Sequence, residues 1–134
     1  MSALQALFGF AAWTLLLVVL VFLQRGVRVA LGTRINHWPR GAKPMDDPSL
    51  FLRMEDAHAN CLESLPVFGA IVLVAFATGR LVAIDGLAPV VLYARMGQTL
   101  AHLSGVGPWQ VLVRAAFFCV QLLLFVWMMA KLVT

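Results

Sequence analysis

The chain has 134 residues, of which 12% are charged and 62% hydrophobic, with a net charge of +4. Soluble domains carry about 25% charged residues, so this chain has too little polar side chain to cover a water-soluble surface. A separate soluble domain and a nucleic-acid-binding role are both excluded, and residues 1–134 read as one all-α unit embedded in a membrane.

Segment 4–23 carries no charge, and about 20 apolar residues span a bilayer core as a helix. No basic residue precedes it and no small-residue cleavage pattern follows, so it is expected to stay as the first span rather than leave as a signal peptide. The first helix is predicted over 4–28, running past the bilayer through Arg25 and Arg28. A polar loop follows, broken by Gly32, Pro39, Gly41, Pro44 and Pro48. The second helix is predicted over 50–79, capped by Asp47 or Ser49, with a polar first half and an apolar second half. Within it, Pro66 strips the Leu62 carbonyl of its usual donor. After a short break holding Arg80 and Asp85, the third helix is predicted over 86–104. Gly105 and Gly107 end it, and Pro108 suits the first turn of the fourth, predicted over 108–132. Four transmembrane helices in one bundle result.

The 24–53 connection carries Arg25, Arg28, Arg34, Arg40, Lys43 and Arg53, whereas the 79–86 connection carries only Arg80. Positive charge in short loops marks the cytoplasmic side. The 24–53 loop is therefore expected in the cytoplasm and both termini on the opposite side, with Lys131 a weak contrary signal. Trp38 and Trp109 suit interfacial anchoring best. Cys61 and Cys119 both fall in spans, which argues against a disulfide framework or a zinc site; no metal site is expected.

Helical phase sorts the polar residues that fall inside these spans. Arg53, Asp56, Asn60 and Glu63 share one stripe of the second helix, with Glu55 and His58 on the other side. Arg95, Gln98 and His102 share a stripe of the third, with Thr99 beside it. Gln110, Arg114 and Gln121 align on the fourth, flanked by Phe117, Phe118 and Phe125. Intramembrane charges cost about 2.5–3.5 kcal/mol on insertion scales and normally face a bundle interior or cavity, paired. Two acids (Asp56, Glu63) and two bases (Arg95, Arg114) are thus expected to form ion pairs between helices.

Ala57–His58–x–Asn60–x–x–Glu63–x–x–Pro66–x–Phe68, preceded by Arg53, resembles the second-helix signature of the MAPEG family, the membrane-associated proteins in eicosanoid and glutathione metabolism. The resemblance extends over four spans, the chain length and the proline-broken loop. It implies a bacterial inner-membrane member, a homotrimer, and a glutathione site between protomers that opens to the cytoplasm. It further implies that Asn60 and Glu63 contact glutathione, that Arg53, Gln98 and His102 complete the binding wall, and that Arg114 or Arg95 steadies the thiolate. Arg25 or Arg28 of a neighbouring protomer would clamp a carboxylate. Catalytic members often carry Arg where this chain has Asp56 and Ala59, and the register of their thiolate-stabilising Arg falls nearest Gln110.

Three functions are compared on this basis. The first is a glutathione-dependent transferase or peroxidase acting on a lipophilic small molecule that arrives from the bilayer. The second is a non-catalytic relative: a scaffold, a lipid-binding protein or a subunit of a larger membrane complex. The third, a transporter or a haem-binding subunit using His58 and His102, lacks the internal repeat of a transporter and places His58 off the Asn60–Glu63 stripe.

Overall fold

The computed structural model describes residues 1–39 and 46–134, and Arg40, Gly41, Lys43 and Pro44 of the polar loop lie outside the described residues. Four helices form as expected: α1 (Ala3–Ala30), α2 (Ser49–Ala77), α3 (Ala88–Ser104) and α4 (Pro108–Val133). A one-turn 3-10 segment, Leu81–Ala83, interrupts the connection between α2 and α3, and no strand occurs among the described residues.

Helices α1, α2 and α4 are long and apolar enough to cross a membrane. The α3 helix, also expected as a span, has only 17 residues, about 25 Å at 1.5 Å per residue. It buries Arg95, Gln98, Thr99 and His102 along one face. Its partners are chiefly α4 and α1, while α1 lies along α2. The bundle's centre is aromatic. Phe68 of α2 has Phe10 of α1 at 5.6 Å between ring centroids and Phe125 of α4 at 6.1 Å.

Between helices in lipid, no hydrophobic gain drives association, so close van der Waals approach matters more than in water. Small residues supply it here. Ala3, Ala6, Ala57, Ala75 and Ala88 are buried against neighbouring helices. At Gly97 of α3 the approach is closest: a Cβ there would lie 2.7 Å from Cζ of Phe117 on α4.

The helix ends away from the polar loop are tied to one another. Ser2 and Gln5 form a capping box on α1, and the Ala3 N–H also donates to Asp85 Oδ1 at 2.7 Å. An aspartate at that point complements the positive end of the helix dipole. Arg80 donates from Nη1 to the Leu132 carbonyl at 2.5 Å, which serves the opposite end of α4 in the same way. Arg80 can reach because α2 ends in a Schellman turn. Gly79 takes φ +70, and the Gly79 and Arg80 N–H groups return to Phe76 and Ala75.

The start of α2 departs from the expectation. Neither Asp47 nor Ser49 caps it; Pro48 holds the cap position and no side chain bonds the first-turn N–H groups. The Asp47 carboxylate accepts from Arg28 and from Trp38 Nε1 instead, and a charged guanidinium is a stronger partner than an amide N–H.

Gly97→Ala is expected to lower stability by about 1–3 kcal/mol through overpacking against Phe117. Thermal unfolding in detergent would show the loss, and Phe117→Leu in the same background would restore most of it. A Gly97→Ala protein as stable as the parent would mean that α3 and α4 are not in this contact.

Candidate functional site

The polar stripes of α2 and α3 face each other, as their phase requires. Arg53 donates from Nε to the Leu103 carbonyl at 3.0 Å, closing the last turn of α3. Asn60 Nδ2 lies 3.4 Å from His102 Nδ1, and His102 Nε2 lies 4.0 Å from Asp56 Oδ2. Deeper in the bundle, Gln121 of α4 donates from Nε2 to Gln98 Oε1 of α3 at 2.9 Å, and both side chains are buried.

The expected ion pairs between helices do not form with Arg95. It is 1% exposed, donates from Nη2 to Ser64 Oγ, and has its guanidinium carbon 5.5 Å from the centre of the Phe10 ring. No carboxylate among the described residues pairs with it. The reason is phase: Ser64 sits about 100° round the helix from Glu63, so the buried face of α2 offers a hydroxyl while Glu63 is exposed on another side. Trp13 adds a donor to this interior, bonding Thr99 Oγ1 at 3.2 Å.

Glu63 instead enters an open cleft of about 270 Å³ between α2, α3 and α4, lined by Asn60, Glu63, Gln98, Val111, Arg114, Ala115 and Phe118. Four of the residues singled out in the sequence therefore converge: Asn60, Glu63, Gln98 and Arg114. The Nε of Arg114 is buried there without a hydrogen-bond partner. Glu63 and Arg114 share the cleft without forming an ion pair. The α2 and α3 walls bring the Asn60 and Gln98 amides and the Glu63 carboxylate; the α4 wall sets Arg114 among the apolar Val111, Ala115 and Phe118. Arg53, His102 and Arg95 do not line the cleft. The first two brace its α2–α3 wall, and Arg95 lies in the bundle core. Gln110, next in register, folds back over the α3–α4 turn against Gly105 and Gly107.

Arg28 also lies elsewhere, in a clasp at the loop end of α1. It pairs with Asp46 at 3.0 Å and with the buried Asp47. Trp38 donates to Asp47 Oδ2 at 2.8 Å, and the guanidinium carbons of Arg25 and Arg28 each lie 5.4 Å from its ring centroid. His37 donates from Nε2 to Asp46 Oδ1 at 3.0 Å. Desolvation tends to raise the Asp46 carboxyl, but the hydrogen bonds from Arg28 and His37 outweigh it and hold the group below its ordinary value. His37, Asp46 and Asp47 are close enough to share a cation, yet the Arg28 guanidinium already stands between the two carboxylates. Arg25 pairs with Glu55 at 2.5 Å, and with His58 these line a second cleft between α1 and α2. His58 and His102 thus face opposite sides of α2.

Two features here escaped the sequence reading. Ser64 could have been found, because it is the polar member of the otherwise apolar stripe Ala57, Cys61, Ser64, Phe68 that packs inward. The Arg28–Trp38–Asp47 clasp could not, because it is closed by loop residues with no periodicity.

Two outcomes follow from these contacts. Ser64→Ala should cost about 1.5–3 kcal/mol, the range for a hydrogen bond to a charged group, and much less in an Arg95→Met background. Equal costs in both backgrounds, measured as a double-mutant cycle, would show that the two residues are uncoupled. Since Asp46 has a depressed folded value, its contribution is complete above the ordinary carboxylate range and is lost as pH falls through the depressed value. The stability difference between the parent and Asp46→Asn should accordingly shrink on acidification; a difference that grows would contradict the clasp.

Over residues 3–134 the chain matches the family model described as MAPEG family. No curated protein matches it.

Proposed function

We infer the function from one premise: the chain belongs to the MAPEG family and is an integral membrane protein. On that premise it is a glutathione-dependent transferase or peroxidase acting on lipophilic electrophiles. The observation that carries this reading is the convergence of Asn60, Glu63, Gln98 and Arg114 in one cleft, beside the apolar Val111, Ala115 and Phe118 of α4.

The chemistry of the donor set suits the tripeptide. Glutathione brings two carboxylates, an ammonium group, two amides and a thiol. Glu63 is the acceptor for the ammonium, the Asn60 and Gln98 amides match the peptide groups, and Arg114 provides the cation. The thiolate, not the thiol, is the nucleophile, and a neighbouring guanidinium favours the thiolate. In a transfer, the sulfur lone pair forms the new S–C bond, the leaving group departs with its electron pair, and the thiol proton passes to solvent. Phe118 and Val111 give a lipid-soluble electrophile an apolar approach to that sulfur.

A cleft of about 270 Å³ falls below the usual ligand-site range of about 300–1,000 Å³. A second wall is therefore needed, and a homotrimer with the thiol bound between protomers supplies one. Arg25 of a neighbouring protomer suits the carboxylate clamp better than Arg28, since it is held by one carboxylate, Glu55, where Arg28 is held by two, Asp46 and Asp47. The basic end, with Arg25, Arg28, Arg34 and Arg53, lies in the cytoplasm of a bacterial cell by the positive-inside rule, and the membrane is the inner one.

Asp56, half-buried beside His102, favours a second reading. The resemblance sets a base at that position in catalytic members, and an acid there weakens anion binding. The non-catalytic relative, a scaffold or a lipid-binding subunit, follows from it.

Titration calorimetry with reduced glutathione in detergent separates the two. The enzyme reading expects saturable heat at or below millimolar ligand, weakened about tenfold or more by Arg114→Ala and by Glu63→Gln, as for loss of one charge-assisted hydrogen bond. No heat at millimolar glutathione sinks it. The scaffold reading expects Glu63→Gln to weaken the oligomer and leave any ligand affinity unchanged.

A further inference from the structure

On the side of the bundle away from the polar loop, α2 and α4 diverge and leave a groove. It has a volume of about 210 Å³ and is lined by Ala70, Ile71, Val74, Met129, Leu132 and Val133, all apolar. In a membrane-spanning chain such a groove is filled by hydrocarbon of some kind. What singles this one out is the charge fixed at its end. Leu132 turns its side chain into the groove and offers its carbonyl to Arg80. The Arg80 guanidinium is thereby held across the gap between the last turns of α2 and α4. It is exposed, and one donor of the five that a guanidinium carries is engaged. Lys131, also exposed, adds a second cation in the last turn of α4. The acid of this connector, Asp85, is turned to the N-terminus of α1.

A wholly apolar furrow that ends under a fixed guanidinium has the polarity of a phospholipid with an anionic head. We propose that the α2–α4 groove is a binding site for an anionic phospholipid, one acyl chain lying along Ala70, Ile71, Val74 and Met129 and the phosphate on Arg80, with Lys131 in reach of the headgroup. Arg80 suits this role better than a lysine would, because its planar fork can hold the Leu132 carbonyl and a phosphate oxygen at once. The site is separate from the Asn60–Glu63 cleft and does not rest on the glutathione reading.

The test is native mass spectrometry of the full chain released from detergent, with phosphatidylglycerol and phosphatidylcholine of identical acyl chains present in equal amounts. The expected result is preferential retention of phosphatidylglycerol, about fivefold for each cation engaged. Arg80→Gln should remove about fivefold of that preference, and Arg80→Lys should keep most of it. Ala70→Phe, which fills the furrow, should lower retention of both lipids with the oligomeric state unchanged. Arg80 also closes the end of α4, so a poorly folded Arg80→Gln protein would leave Arg80→Lys and Ala70→Phe as the deciding pair. Equal retention of the two lipids by the parent overturns the proposal. So does an altered oligomeric state in Ala70→Phe, which would assign the groove to a contact between copies. Inorganic phosphate raising thermal stability as much as phosphatidylglycerol would also overturn it, since the furrow would then play no part.

Discussion

A guanidinium taken between membrane helices cannot turn back to water for its hydrogen bonds, and the rest of this bundle is arranged around that demand. Arg95 is answered in part by a hydroxyl and an aromatic face, Ser64 and Phe10, which come from two different helices, while its Nε stays without a hydrogen-bond partner. Phe10 then packs at a tilt against Phe68, and Phe68 stacks on Phe125. One buried cation and one row of rings therefore fix α1, α2 and α4 relative to α3. A salt bridge would have satisfied the charge as well, but at the desolvation cost of a second ion. Leaving Glu63 out of the core avoids that cost and frees the carboxylate for the cleft.

The cleft depends on this division. Its floor is Gln98, held by Gln121, and its side is Asn60, held by His102. Amides fixed in this way keep a set orientation without a bound molecule, which lowers the ordering cost of binding. Arg114 is the member of the cleft lining left with an unmet demand, as Arg95 is in the core. The buried Arg114 Nε has no partner, and an anionic ligand beside Asn60 and Glu63 would answer it.

Helix phase made most of the architecture legible beforehand. The polar faces of α2 and α3 turned toward each other, all four helices formed within two residues of their expected ends, and Gly105, Gly107 and Pro108 marked the α3–α4 turn. Period alone, however, gives a face and not a partner. Arg95 and Glu63 had complementary charge and suitable depth, yet the intervening 100° between Glu63 and Ser64 decided the contact. Asp47 illustrates a different limit. An aspartate just ahead of a helix reads as a cap, and only the folded loop reveals that Arg28 and Trp38 claim it.

The contact between the Ala3 N–H and Asp85 bears on biogenesis. The first helix of a membrane chain is synthesised and inserted early, while Asp85 emerges only after α2 is complete. One backbone N–H of the starting turn of α1 is thus satisfied by a residue made much later. Between those two moments α1 relies on its own Ser2–Gln5 capping box. In the folded bundle the two act side by side, the box on the Ser2 and Gln5 N–H groups and Asp85 on that of Ala3, so the α2–α3 connector completes the closure of a helix that was made before it.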